Sequence, residues 1–98
     1  MNLSELTSVS AVNQAIAEFD QLGRDAFLKK YGFWKARNYY LIVGGKRYDS
    51  KAIVGVAFGN QFPTQGPLTS EQFSGGESTV RRKLESLGFI VEKADHRI

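Results

Sequence analysis

Apolar residues at helical spacing open the chain. Val12, Ala15, Ile16, Phe19 and Leu22 recur every three or four positions with polar residues between them, the stripe of an amphipathic helix. Ser8 or Ser10 supplies an N-cap and Gly23 a stop, which predicts a first helix over about 10–22. Arg24 to Tyr31 carries Phe27, Leu28 and Tyr31 on one face and ends at Gly32, a short second helix. The period then changes. Asn38 to Val43 is dominated by aromatic and β-branched residues in alternation, a strand. Gly44-Gly45 is a two-residue hairpin turn, and Lys46 to Tyr48 is the return strand.

Asp49 or Ser50 caps a third helix that buries Ile53, Val56, Ala57 and Phe58, with Gly59 and Asn60 ending it. Gln61 to Gly76 holds both prolines and reads as a long loop with a turn at Leu68 to Phe73. Glu77 to Leu87 is a fourth helix with Val80, Leu84 and Leu87 inward, stopped by Gly88. Phe89 to Val91 is a third strand, and Asp95 to Ile98 a tail. The expected fold is a single α+β domain over 1–98, with a small antiparallel sheet of about three strands and about four helices packed on it.

Length and composition narrow the functional field. The 98 residues suffice for one domain, and with no cysteine there are no disulfides and no thiolate metal sites. No apolar run approaches the ~20 residues that span a bilayer, and Met1 to Val9 lacks a basic n-region. No membrane partner and a cytoplasmic location are expected. The only histidine, His96, lies in the tail, so a zinc site and a Ser-His-Asp arrangement both lack their central residue. No phosphate-binding GxxxxGK[ST] or GxGxxG motif occurs. No cofactor and no metal are expected.

Charge is uneven. Residues 1–28 set Glu5, Glu18, Asp20 and Asp25 against Arg24 alone. Residues 29–51 carry Lys29, Lys30, Lys35, Arg37, Lys46, Arg47 and Lys51 against Asp49 alone. A basic middle beside an acidic helix predicts one positive face and an anionic partner, the alternative being a solvated basic loop.

Three readings of that basic stretch compete. Asp49-Ser50-Lys51 has the acid-x-lysine spacing of metal-dependent nucleases, in which acids hold Mg²⁺ and the lysine positions water. The preceding strand offers no partner acid, so a helix cap or an internal salt bridge is the preferred role for Asp49 and no catalytic residue is assigned. Phosphate binding fits better. Lys46, Arg47 and Lys51, with Arg37, neutralise phosphates on one side, where the adjoining Tyr48 and Ser50 also count as DNA-binding candidates. Ser74, Gly75 and Gly76, with Arg81 or Arg82, approach from the other, although Glu77 in that first turn repels an anion. Trp34, Tyr39 and Tyr40 interleave with the bases and are candidates to stack on a base, against the alternative that aromatics in so small a domain fill the core. The competing class is a protein-interaction or regulatory module.

The segments AIAEFDQLG, GRDAFLKKYGFWKARNYYLIVGGKRYDSKAIVGVAFG and LTSEQFSGGESTVRRKLESLGFIV, taken together, resemble one small domain. YDSKAI with FSGG at this spacing is more specific than either alone. The resemblance is to the N-terminal head domain of McrA-like, modification-dependent HNH restriction endonucleases of bacteria, over about residues 12–91. It implies a role in engaging double-stranded DNA that carries methylation or another modification. It also implies that a C-terminal HNH nuclease of the same chain does the cutting, since the histidines and asparagine of an HNH site have no counterpart here. The competing interaction module would dock on that nuclease or hold a homodimer together. VAFGNQF departs from the pattern, which has a histidine or another polar residue near Phe58 in many relatives.

Overall fold

The computed structural model describes residues 3–73 and 76–94. It is an α+β domain of four α-helices and one three-stranded antiparallel sheet, in the order α1 (Val9–Leu22), α2 (Arg24–Tyr31), β1 (Tyr39–Val43), β2 (Lys46–Asp49), α3 (Ser50–Gln61), α4 (Gly76–Ser86) and β3 (Ile90–Lys93). Single 3-10 turns lie at Leu3–Glu5 and Ser70–Gln72.

The centre is α3. Eight of its residues, Ser50 and Ala52 to Phe58, are buried, so it is apolar all round, as expected for a helix enclosed on every side. α1 packs along it with Ala11, Val12, Ala15, Ile16 and Phe19 inward. Of the two serines offered as caps, Ser8 is the one used: its Oγ accepts from the Ala11 N–H at 3.0 Å. α2 is short and leans on its ends, with Asp25 in the first turn and Lys29 and Lys30 in the last, each of the sign that suits the helix dipole.

Gly59 and Asn60 do not end α3 as expected; the helix runs on to Gln61. Its two glycines serve close packing instead. A Cβ on Gly59 would lie 2.5 Å from the Pro67 nitrogen, and one on Gly55 would lie 2.7 Å from the Phe33 ring and 2.8 Å from the Leu68 carbonyl oxygen. The Leu68 N–H donates to the Gly55 carbonyl at 3.0 Å. The long loop is thus seated on the helix in its middle.

β1 is the central strand, paired with β2 on one side and β3 on the other. Gly44 and Gly45 both have positive φ, 58° and 78°, the geometry a two-residue hairpin turn requires. Leu41 opposite Tyr48 and Val91 forms the core-facing row, and Ile42 opposite Arg47 and Ile90 the outer row. β3 starts one residue later than expected and reaches Lys93. Its charged end, Glu92 and Lys93, pairs with Tyr40 and Tyr39 while staying exposed, as edge strands allow. Phe58 is wholly buried against Phe62 at 4.8 Å between ring centres, and acts in packing.

Candidate nucleic-acid interface

Asp49 closes β2 at the N-cap position of α3, yet its side chain makes no capping bond. Its carboxylate is engaged elsewhere. Arg24 Nε donates to Oδ1 at 2.9 Å, Arg24 Nη2 donates to Oδ2 at 2.8 Å, and the Ala36 N–H donates to Oδ2 at 2.8 Å. Asp49 is 2% exposed. This is the two-pronged guanidinium–carboxylate pairing that holds geometry best. The hydrogen bonds to Asp49 hold the Arg24 pKa above its ordinary value against the opposing effect of desolvation. With three donors on two oxygens, Asp49 is a structural acid, the internal salt bridge preferred from sequence. Among the described residues no group of three or more His, Asp or Glu side chains is placed to hold a metal ion.

The same bridge fixes the connection between α2 and β1. Its Ala36 is held twice, by N–H to Asp49 and by its carbonyl, which accepts from the Tyr40 hydroxyl at 2.7 Å. Phe33 is buried beside Gly55 and meets Phe73 edge-on at 6.2 Å. Trp34 lies between these anchors and is 89% exposed. Tryptophan is highly buried on average, so Trp34 stands apart from the other aromatics of the chain.

Two cavities, each of about 490 Å³, reach Trp34. One is walled by Phe33 to Arg37, the α3 first turn from Ser50 to Ala52, and Ser70. The other lies on the α2 side, beside Asp25, Leu28 and Lys29. Lys35 and Arg37 line both, and Lys51 lines the first, with its ammonium 5.3 Å above the Phe73 ring. The acid in the first cavity is Asp49, already neutralised by Arg24.

The structure therefore gathers Trp34, Arg37, Ser50 and Lys51, from the residues expected to bind, around one cavity. Lys46, Arg47, Arg81 and Arg82 are not among its walls. Lys46 faces Asp20 at 3.8 Å, Arg47 lies over the Tyr40 ring at 5.3 Å, Arg81 pairs with Glu85 and lies over Tyr39 at 5.5 Å, and Arg82 is exposed on α4. Tyr39 and Tyr40 are half-buried beneath those cations, so neither presents an open face like that of Trp34.

Two of the expected site residues are buried. Tyr48 faces the core: its ring meets Phe19 edge-on at 4.9 Å and its hydroxyl donates to Asp20 at 2.8 Å. Burial, with that hydrogen bond, pushes its pKa up to about 12. Ser50 is buried and its hydroxyl donates to the Tyr39 carbonyl at 3.1 Å. Tyr48 reaches neither cavity, whereas Ser50 stays in the wall of the first with its hydroxyl already engaged. Ser74 and Gly75 lie outside the described residues, and Gly76 begins α4.

The positive face is smaller than the sequence totals imply. Acids of the first two helices cancel part of the basic segment: Glu18 pairs with Lys30, Asp20 with Lys46 and Asp25 with Lys35. At Glu18, burial raises the carboxyl pKa, but hydrogen bonds from Lys30 and Tyr31 outweigh it and leave the group below its ordinary value. Among the described residues, Lys29, Arg37, Arg47 and Lys51 make no ion pair. Sequence reasoning missed Arg24 and Ser70. Arg24 stood alone among acids, and nothing local signals a partner 25 positions away.

The family model for ScoMcrA-like N-terminal head domains matches residues 4–93. Among solved structures, the type IV phosphorothioation-dependent restriction endonuclease ScoMcrA is similar, with a TM-score of 0.68 at 28% identity. The match covers 96% of this chain and 14% of that one. No curated protein matches.

Proposed function

Because the chain belongs to the family of ScoMcrA-like N-terminal head domains, we propose that it is a non-catalytic DNA-binding module of a restriction endonuclease directed at modified DNA. The observation that carries this reading is the cavity where an exposed Trp34 meets Arg37, Lys35 and Lys51, with its one acid neutralised. Arg37, Arg47 and Lys51 then contact phosphates. Cleavage belongs to another part of the parent protein, since the acid-x-lysine stretch is consumed by the Arg24 bridge. Phosphorothioation, named for the solved relative, is the first modification to test, ahead of methylation. Such an enzyme works where the DNA is, in the cytoplasm.

The test is fluorescence anisotropy with unmodified, phosphorothioated and cytosine-methylated duplexes at two salt concentrations. Salt-sensitive binding is expected. Replacing Arg37, Arg47 and Lys51 together by alanine lowers the log–log salt slope by about 0.9 for each phosphate no longer neutralised. No binding at low salt, or a triple variant with unchanged affinity, refutes the reading. A second reading draws on Ile90, which is 63% exposed beside Ile42 on the outer row of the sheet. That patch would dock on the nuclease portion of the same protein or on a second copy, with little dependence on salt.

A further inference from the structure

Resting on the DNA-binding reading above, we propose that the cavity beside Trp34 takes a single unpaired nucleotide, its base stacked on the indole and its flanking phosphate held by Arg37 and Lys51.

The argument begins with shape. In an intact duplex the faces of the bases are hidden by their neighbours, so an aromatic ring finds a partner face only on a base that has left the stack. Trp34 offers such a face, and 89% of the residue is open to solvent. The backbone on either side of it is fixed. The connection that carries it is held at Phe33, which is buried against Gly55, and at Ala36, which is bonded to Asp49 and Tyr40. Stacking there has to fix the indole's rotamer but not the connection that carries it.

Size and chemistry agree. The cavity of about 490 Å³ lies within the range that encloses small-molecule ligands. Apolar surface from Phe33, Ala36 and Ala52 lines it, and Ser70 adds a polar residue to the wall. Arg37 and Lys51, without ion pairs among the described residues, leave two cations for one phosphate. Asp49 would repel that phosphate if it stood alone, but Arg24 holds its charge from behind.

Trp34 is the only tryptophan in the chain, so intrinsic fluorescence reports on this site alone. The chain is titrated with a short perfect duplex and with the same duplex carrying one unpaired adenosine, at one low salt concentration. Emission, acrylamide quenching and anisotropy are read together. The unpaired base is expected to raise affinity between about 5- and 150-fold, the range for stacking one base on an aromatic side chain. It should also quench Trp34 and shield it from acrylamide. Trp34→Ala should remove the preference for the unpaired base, and Trp34→Phe should keep part of it. Equal affinity for both duplexes with Trp34 still open to acrylamide overturns the proposal and leaves the DNA-binding reading standing. A preference that survives Trp34→Ala also overturns it. Binding to neither duplex overturns both readings.

Discussion

Removing the Asp49 carboxylate should cost this domain a large part of its stability. Asp49→Ala deletes three hydrogen bonds at 2.8–2.9 Å, two from Arg24 and one from the Ala36 N–H. The loss is not that of a helix cap, because the side chain makes no capping bond to α3. Breaking a buried, hydrogen-bonded ion pair from one side costs about 3–5 kcal/mol. Arg24, 38% exposed at its side chain, recovers some hydration, which favours the lower end. A domain of this size has about 5–15 kcal/mol in all. At a urea slope of about 1–2 kcal/mol per M, the midpoint falls by roughly 2–3 M. Urea unfolding followed by circular dichroism and by Trp34 emission measures it, with an unchanged slope showing that only stability moved. Arg24→Ala should cost as much, because it leaves a buried carboxylate with one donor. The double variant should fall well short of the sum, since both changes break the same bridge. A midpoint shift under about 0.5 M for Asp49→Ala, or strict additivity in the cycle, refutes the claim that this bridge ties the hairpin to α2.

Two further outcomes are expected. Gly59→Ala should destabilise by about 1–3 kcal/mol through overpacking, although alanine is the better helix former, because its Cβ would lie 2.5 Å from the Pro67 nitrogen; a stabilised variant in thermal melts would contradict the seated loop. Folded Tyr48 keeps its proton to about pH 12 against about 10 when unfolded, so its contribution is intact below pH 10 and lost between 10 and 12, about 2–3 kcal/mol in all. Denaturation across that window should show this loss in the parent and not in Tyr48→Phe, and equal slopes for both would refute it.

What the sequence revealed follows from the range of each signal. Periodicity is local, so α1, α2 and the hairpin were legible nearly to the residue, down to the glycine pair at positions 44 and 45. Glycine is ambiguous by nature. Gly59 looked like a stop because its other use, close approach by Pro67, depends on a segment eight residues later. β3 looked short because a charged edge strand has no apolar alternation to display beyond Val91. At the candidate site, Trp34 stood out as an aromatic in a polar connection. Tyr48 and Ser50 did not reveal their burial, because their partners Asp20 and Tyr39 lie on other elements. The charge of the basic segment, counted along the chain, is likewise incomplete: acids of the first two helices pair with Lys30, Lys35 and Lys46.

The stretch from Gln61 to Gly76 looks like the part of the chain most tolerant of change in length, but the seating of Pro67 and Leu68 on α3 divides it in two. From Phe62 to Leu68 the chain must return from the end of α3 to the level of Gly55 in a fixed number of residues, so an inserted or deleted residue there would shift the whole return out of register with the helix. Beyond Leu68 the chain is held again, by the capping box of Thr69 and Gln72 and by Phe73, which meets Phe33 edge-on at 6.2 Å. A stretch that reads as one long loop is therefore a measured return, and a tag or loop graft placed between Phe62 and Leu68 should be resisted by the fold.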